Sequence, residues 1–472
     1  MFGSGNAMNE LTINLDTKLK MPLYEQIYEF IKEEIQKGRI QNGEKLPSTR
    51  ALSRHLEVSR STVELAYEQL LSEGYIEAEP CRGYFVSDLQ GLYQLHAKEQ
   101  FIFTENQKIE KSYAYDFSPH GVDLNSFPYN TWRKLSKESL QDDRAELFRL
   151  GDPQGEWGLR SAISHYLHQA RGVNCSPEQI VVGAGNDYLL MLLATALGPD
   201  HKIAFENPTY RQAYRLFESL SYDICTVDMD EKGMDVSKLE SSGANIAFVM
   251  PSHQYPLGIV MPVKRRMELL RWAKEEGRYI IEDDYDSEFR YKGKPIPALQ
   301  GYDSNEKVIY IGTFSKSIAP AIRMSYLVFP PKLLEMYRQR SYFLSSTVSK
   351  VDQSILEKFL KEGYFERHLN KTRALYKSRH DALLNAWKGT EKYVHISGEN
   401  AGVHLLLTFQ NGRKEEELIQ QAEEVGIKVY GLSGYYVKPQ MGVKATILLG
   451  YANMQEKKIK EAVEVLKAIW LT

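Results

Sequence analysis

Apolar residues fall at helical spacing in the first part of this chain and in short, nearly continuous runs after it, so two kinds of domain are predicted. Leu23, Ile27, Phe30, Ile31 and Ile35 recur at three- and four-residue intervals and predict an amphipathic helix that stops near Gly38. Pro47 and Ser48 open a short second helix, with Ser48 as its N-cap and Ala51, Leu52 and Leu56 turned inward. Ser59 caps a third helix whose apolar stripe is Val63, Ala66, Tyr67, Leu70 and Leu71. That stripe leaves Arg60, Ser61 and Thr62 outward at the N-terminal end, and Gly74 closes the helix. Residues 75–78 and 83–86 read as two strands turning through Pro80, Cys81 and Arg82. Over 8–86 this is an α+β winged helix-turn-helix, its third helix placed as one that enters a DNA groove.

Residues 87–112 have mixed polarity and no sustained period, which predicts a linker that packs on its neighbour rather than floating. From Tyr113 to 472 strands and helices alternate, the pattern of an α/β domain with a mostly parallel sheet covered on both faces. Apolar runs at 180–182, 202–206, 245–250, 279–281 and 308–311 are its candidate strands. A helical pattern over 363–386 leads to strands at 403–409, 427–430 and 446–450 and a closing helix over 456–470. Open α/β sheets bind ligands beyond the C-terminal ends of their strands. The acids Glu282, Asp283 and Asp284 after one run, and Gly312, Thr313, Ser315 and Lys316 after another, therefore mark the candidate site.

At 472 residues and 43% hydrophobic content the chain can build more than one core. Net charge is −3, and 8–86 holds ten basic against thirteen acidic residues, so a DNA partner must be argued from local placement. Cys81, Cys175 and Cys225 are scattered with no metal-ligand or paired spacing, so neither a disulfide framework nor a zinc site is predicted. No apolar run approaches the length of a membrane span and no signal pattern opens the chain, so a cytoplasmic protein without a membrane partner is expected. Met1 to Ala7 is small and polar and reads as a scar ahead of Met8.

A lysine can condense with an aldehyde as a Schiff base, and a carboxylate beside a pyridine nitrogen keeps that ring protonated as an electron sink. Lys316 and Asp283 are the candidates for those roles. Arg323 can fork two hydrogen bonds onto a phosphate while Thr313 or Ser315 adds a hydroxyl, and Tyr285 can donate to the ring's phenolic oxygen. Taken singly, each of these residues is more often solvated surface. The constellation points to a pyridoxal 5'-phosphate pocket.

Asp283-Asp284-Tyr285-Asp286, followed by Ser315-Lys316 and Arg323, resembles the fold-type I aminotransferases, and specifically the MocR subfamily of GntR-type regulators. The resemblance covers nearly the whole chain. It implies that Gly185 and Asn186 touch the cofactor phosphate at a helix N-terminus and that Tyr210 stacks on the pyridine face. Where aminotransferases commonly carry Asn-Pro-Thr-Gly, this chain has His253-Gln254-Tyr255-Pro256-Leu257-Gly258, and His253 or Gln254 is expected to replace the asparagine. Leu150 stands where the family often has a tyrosine that reaches the neighbouring subunit's cofactor. Lys444 stands nearest the arginine that grips a substrate carboxylate, with Arg211 a second candidate for the effector.

Leu46-Pro47-Ser48-Thr49-Arg50, Val58-Ser59-Arg60-Ser61-Thr62 and Arg82-Gly83 are similar to the GntR-type DNA-binding signature. The similarity implies that Arg50, Arg60, Ser61, Thr62, Arg82 and Gly83 meet DNA. Arg60 would reach a guanine edge, Ser61 and Thr62 the phosphates, and Arg82 with Gly83 the minor groove or backbone. Glu64 stands where such helices can carry another arginine. The implied function is a transcription regulator that senses an amino acid or amine through imine exchange at Lys316. A working aminotransferase with an accessory DNA-binding domain, or a sensor of pyridoxal phosphate itself, are the alternatives. The altered loop and Lys444 count against efficient turnover, with residual transamination left open. A head-to-tail homodimer reading repeated operator half-sites is also implied.

Overall fold

The computed structural model describes residues 13–88, 112–141, 145–291, 293, 296–410, 412–438 and 442–471. Most of the expected linker lies outside the described residues, as do the residues before Met8. The chain divides between 110 and 111 into two compact units.

In the first unit, helices Leu23–Gln36, Thr49–His55 and Arg60–Ser72 close on a core of Ile27, Ile31, Ile35, Leu52, Val63, Ala66, Tyr67 and Leu70. Two serines start helices as their position predicts. Ser48 Oγ accepts from Ala51 N and Ser59 Oγ from Thr62 N, each at 3.1 Å, which satisfies amides that the first turn leaves without partners. Strands Ile76–Glu79 and Gly83–Val86 pair antiparallel, Ile76 opposite Val86. The wing has a further piece, because Lys45 bridges Phe85 and Leu46 N donates to Tyr84 O. A single bridged residue between Asn42-Gly43 and Pro47 is too short to show alternation in the sequence.

The second unit is built on an eight-stranded sheet in the order Ile180–Gly183, Ser325–Val328, Val308–Thr313, Tyr279–Asp284, Ile246–Val249, Lys202–Asn207, Asp223–Asp230, Gly233–Met234. The five strands from Val308–Thr313 to Asp223–Asp230 run parallel, with Ile311 opposite Asp283. Ser325–Val328 is antiparallel to both neighbours. The central strands are buried on both faces, which is why they read as unbroken apolar runs. Leu189, Leu193 and Leu197 of helix Asn186–Leu197 pack on one face with Phe217 and Leu333, and helices Trp157–Arg171 and Val263–Ala273 bring apolar residues to other core clusters.

A smaller sheet, Val394–Ser397, His404–Phe409, Thr446–Gly450 and Tyr430–Gly431, forms the C-terminal part with helices Tyr364–Ala386, Glu415–Glu424 and Glu456–Trp470. The single strand expected over 427–430 is two. Ile427–Lys428 pairs with Tyr115–Asp116, after which Tyr430–Gly431 turns to Thr446–Gly450. A periodicity of two cannot reveal a change of partner within one apolar run.

Candidate functional site

Strand ends bring the expected pocket residues together. A cavity of about 230 Å³ is lined by Asn186, Tyr210, Asp283, Tyr285, Thr313, Ser315, Lys316 and Arg323, together with His120, Asp187, Gln212, Met250 and Tyr255. Asp283 is buried at the end of its strand, and desolvation, followed by the charges of Asp284 and Asp286, pushes its carboxyl up to about 7. Its one side-chain hydrogen bond among the described residues is a 3.4 Å approach from Asn186 Nδ2, and Asn186 Oδ1 is itself buried without a partner. Among the described residues, Lys316 Nζ makes a single hydrogen bond, at 3.3 Å to Pro119 O. Desolvation lowers the amine to about 8, opposed by the charge of Asp286.

At one side of the cavity, Gly185 stands before helix Asn186–Leu197 at φ +92°, and a Cβ there would lie 2.2 Å from Arg323 Nη2. Only glycine lets that guanidinium reach the helix start, where backbone amides converge on an anion. Arg323 has left-handed backbone, φ 49°, and pairs with Asp187 at 3.1 Å. Thr313 Oγ1 accepts from Ser315 N and from Ser325 Oγ, so its own proton remains to donate.

Behind Tyr285 the arrangement departs from expectation. His253 and Gln254 do not line the cavity. Imidazole Nδ1 of His253 lies 2.9 Å from Asp286 and 3.0 Å from the Tyr285 hydroxyl, with its ring held between Gly258 and Gly402. The Tyr285 hydroxyl and the Asp286 carboxylate thus share one imidazole nitrogen, and the three groups form a polar network behind the cavity wall. Gln254 donates to Pro208 O and accepts from Leu257 N, tying two loops. Tyr255 takes the wall position instead, its ring centroid 5.8 Å from that of Tyr285 and 6.3 Å from that of Tyr210. The signal was present, because matching Pro256 and Gly258 to Asn-Pro-Thr-Gly puts Tyr255 opposite the asparagine.

His120, which belongs to no motif in the sequence, also lines the cavity. Its Nε2 lies 3.1 Å from the Tyr255 hydroxyl, which donates to Tyr435, and burial lowers the imidazole to about 4. The two effector candidates stay apart from the cavity. Arg211 donates to the carbonyls of Gly434 and Tyr436, which draws it away to the 434–436 turn. Lys444 is exposed, and the family position near it sits beside a strand start rather than on the cavity wall.

In the first unit, Arg50, Arg60, Ser61 and Arg82 are exposed, while Thr62 and Gly83 are half-buried. Ser59 Oγ gathers the hydroxyls of Ser61, at 2.8 Å, and Thr62, at 2.7 Å. Arg60 Nε lies 2.8 Å from Glu64, and Arg82 pairs with Glu79 while its guanidinium covers Phe85. Gly83, at φ +117°, leaves room for the Lys45 side chain.

Residues 121–466 match the family described as aminotransferase class I and II, and 23–86 match the bacterial regulatory proteins of the gntR family. An uncharacterized HTH-type transcriptional regulator of Bacillus subtilis (strain 168), YdeL, is 40% identical over 98% of this chain and 99% of its own. The probable rhizopine catabolism regulatory protein MocR of Rhizobium meliloti is 30% identical over 97% of this chain and 95% of its own. Among solved structures, kynurenine aminotransferase of Pyrococcus horikoshii in complex with PMP is 25% identical, with a TM-score of 0.66 over 76% of this chain and 92% of that one.

Proposed function

The chain belongs to the MocR subfamily of GntR-type regulators, a DNA-binding unit followed by an aminotransferase-like domain, and from that premise we propose that it regulates transcription in response to an amino acid or amine sensed at Lys316. Residues 8–86 act as the DNA-binding unit, 87–112 as the linker and 113–472 as the effector unit. Pyridoxal 5'-phosphate is the cofactor, and when bound it supplies an aldehyde carbon and an electron-withdrawing ring.

The cavity residues fit that group on chemical grounds. Asp283 is a buried carboxyl short of a partner, which a ring N–H satisfies, and Gly185, Asn186, Arg323, Thr313 and Ser315 present the donors that a phosphate requires. Tyr210 would offer a ring face, and Tyr285, which lines the cavity and is fixed from behind by His253, would meet the phenolic oxygen. The observation that carries the proposal is Lys316. It lines the same cavity as Asp283, Tyr285, Thr313 and Arg323, within reach of any group held there, and desolvation lowers its amine to about 8, toward the neutral form that attacks an aldehyde.

Two copies acting head to tail are proposed as the working form. Phe148, Leu150 and Phe343 are exposed at 76%, 88% and 80%, apolar surface of the kind that subunit contacts cover. The reading places the protein with its DNA in the cytoplasm, and among the described residues no helix is long and apolar enough to cross a membrane.

DNA binding tests the proposal. Duplexes from upstream of the chain's own gene and its neighbours are titrated with and without cofactor and a panel of amino acids and amines. One amine in the panel should change affinity only when cofactor is present and Lys316 is intact. Steady turnover of an amino donor with a keto acid, with DNA affinity unmoved by any amine, would favour the aminotransferase. A response to cofactor alone would favour the cofactor sensor.

A further inference from the structure

An acidic side chain on the face of a DNA-binding helix needs a reason, because phosphates repel it. Glu64 lies one turn after Arg60 in helix Arg60–Ser72, and its carboxylate meets Arg60 Nε at 2.8 Å with both side chains accessible, 65% for Arg60 and 39% for Glu64. The core stripe of this helix, Val63, Ala66, Tyr67 and Leu70, faces inward, so the pair flanks the surface left for DNA. The Ser59 N-cap holds Ser61 and Thr62, which fixes the first turn and thereby the starting point of both side chains.

We infer that Glu64 is a specificity-determining residue, reading together with Arg60 a single G·C pair in each operator half-site. The inference rests on the DNA-binding reading of this unit. The major-groove edge of G·C presents two acceptors on guanine and then the amino donor of cytosine. Arg60 presents donors and Glu64, beside it, presents an acceptor, so the pair matches that order. An A·T edge places its amino donor between two acceptors, which sets a donor against Arg60 and an acceptor against Glu64. Glu64 also acts against wrong sites. Where no cytosine amino group meets it, the carboxylate is left with phosphate repulsion that its pairing with Arg60 offsets in part, so binding to unrelated sequence is weakened. An intrahelical pair that merely decorates the surface would have neither effect.

Selection from a randomised duplex pool, followed by affinity measurements at two salt concentrations, tests this with full-length wild type, Glu64→Ala and Glu64→Gln. Glu64 is solvent-accessible and outside the core, and helical content and melting of each variant confirm folding. Wild type should require G·C at one position per half-site. Glu64→Ala should relax that preference by about fivefold to a hundredfold while binding unrelated duplex more tightly. Glu64→Gln, which retains an acceptor without the charge, should keep more of the preference than Glu64→Ala. If Glu64→Ala raises affinity for every sequence by one common factor and leaves the preference at each position intact, Glu64 is only a surface charge and the inference fails. If wild type selects no sequence and its affinity is indifferent to salt, the DNA-binding reading fails with it, a result distinguishable from the first.

Discussion

Arg60 and Lys316 are both cations assigned to a ligand, yet they work in opposite surroundings. Arg60 stands in water on a helix end, paired with Glu64 and screened by salt. Lys316 stands on a cavity wall where desolvation shifts its ionisation, below strand ends that also hold Asp283 out of water. Each setting suits its own ligand. An exposed cation contributes by position and by released counterions, so it suits reading a long polyanion. A desolvated amine gains reactivity, so it suits covalent recognition of one small molecule.

The largest effect is expected from Lys316→Ala. Retention of cofactor through borohydride reduction and denaturation should be lost completely, while binding of the cofactor-free protein to DNA remains. A variant that still carries covalently fixed cofactor would refute the role. Next in size, Asp283→Asn should weaken cofactor binding by about 2–5 kcal/mol, because it removes the anion from a buried charged pair. Fluorescence titration would show it, and a change within twofold would mean that Asp283 does not face the ring nitrogen.

Arg60→Ala should cost about 1–3 kcal/mol in operator affinity, with cofactor affinity untouched. Any loss of cofactor binding in that variant would blur the division between the units. The pH dependence sharpens it further. Below its value of about 8 the Lys316 amine is increasingly protonated and unreactive, so cofactor uptake by the empty protein should rise roughly tenfold per pH unit up to about 8 and then level. A rise continuing to the ordinary lysine range would show that burial does not act on this amine. The smallest effect is Ser59→Ala, which removes an N-cap and should lower the stability of the first unit by about 1 kcal/mol by thermal melting.

Local sequence determined a great deal here. Helix starts at Ser48 and Ser59, the core stripes of the first unit and the buried runs that become parallel strands are properties of neighbouring residues, so spacing alone declares them. The pocket set of Lys316, Asp283, Tyr285, Thr313, Ser315 and Arg323 was legible for the same reason, since strand ends carry their side chains to one edge of the sheet. Tertiary structure alone decided the rest. His120 and Tyr255, 135 residues apart in sequence, meet beside Lys316 only once separate loops fold together. His253 moved from the wall to the space behind Tyr285 because Gly258 and Gly402 leave a slot for its ring. Arg211 was drawn off by the carbonyls of Gly434 and Tyr436. Such outcomes depend on which distant group reaches a side chain first, and no periodicity along the chain records that competition.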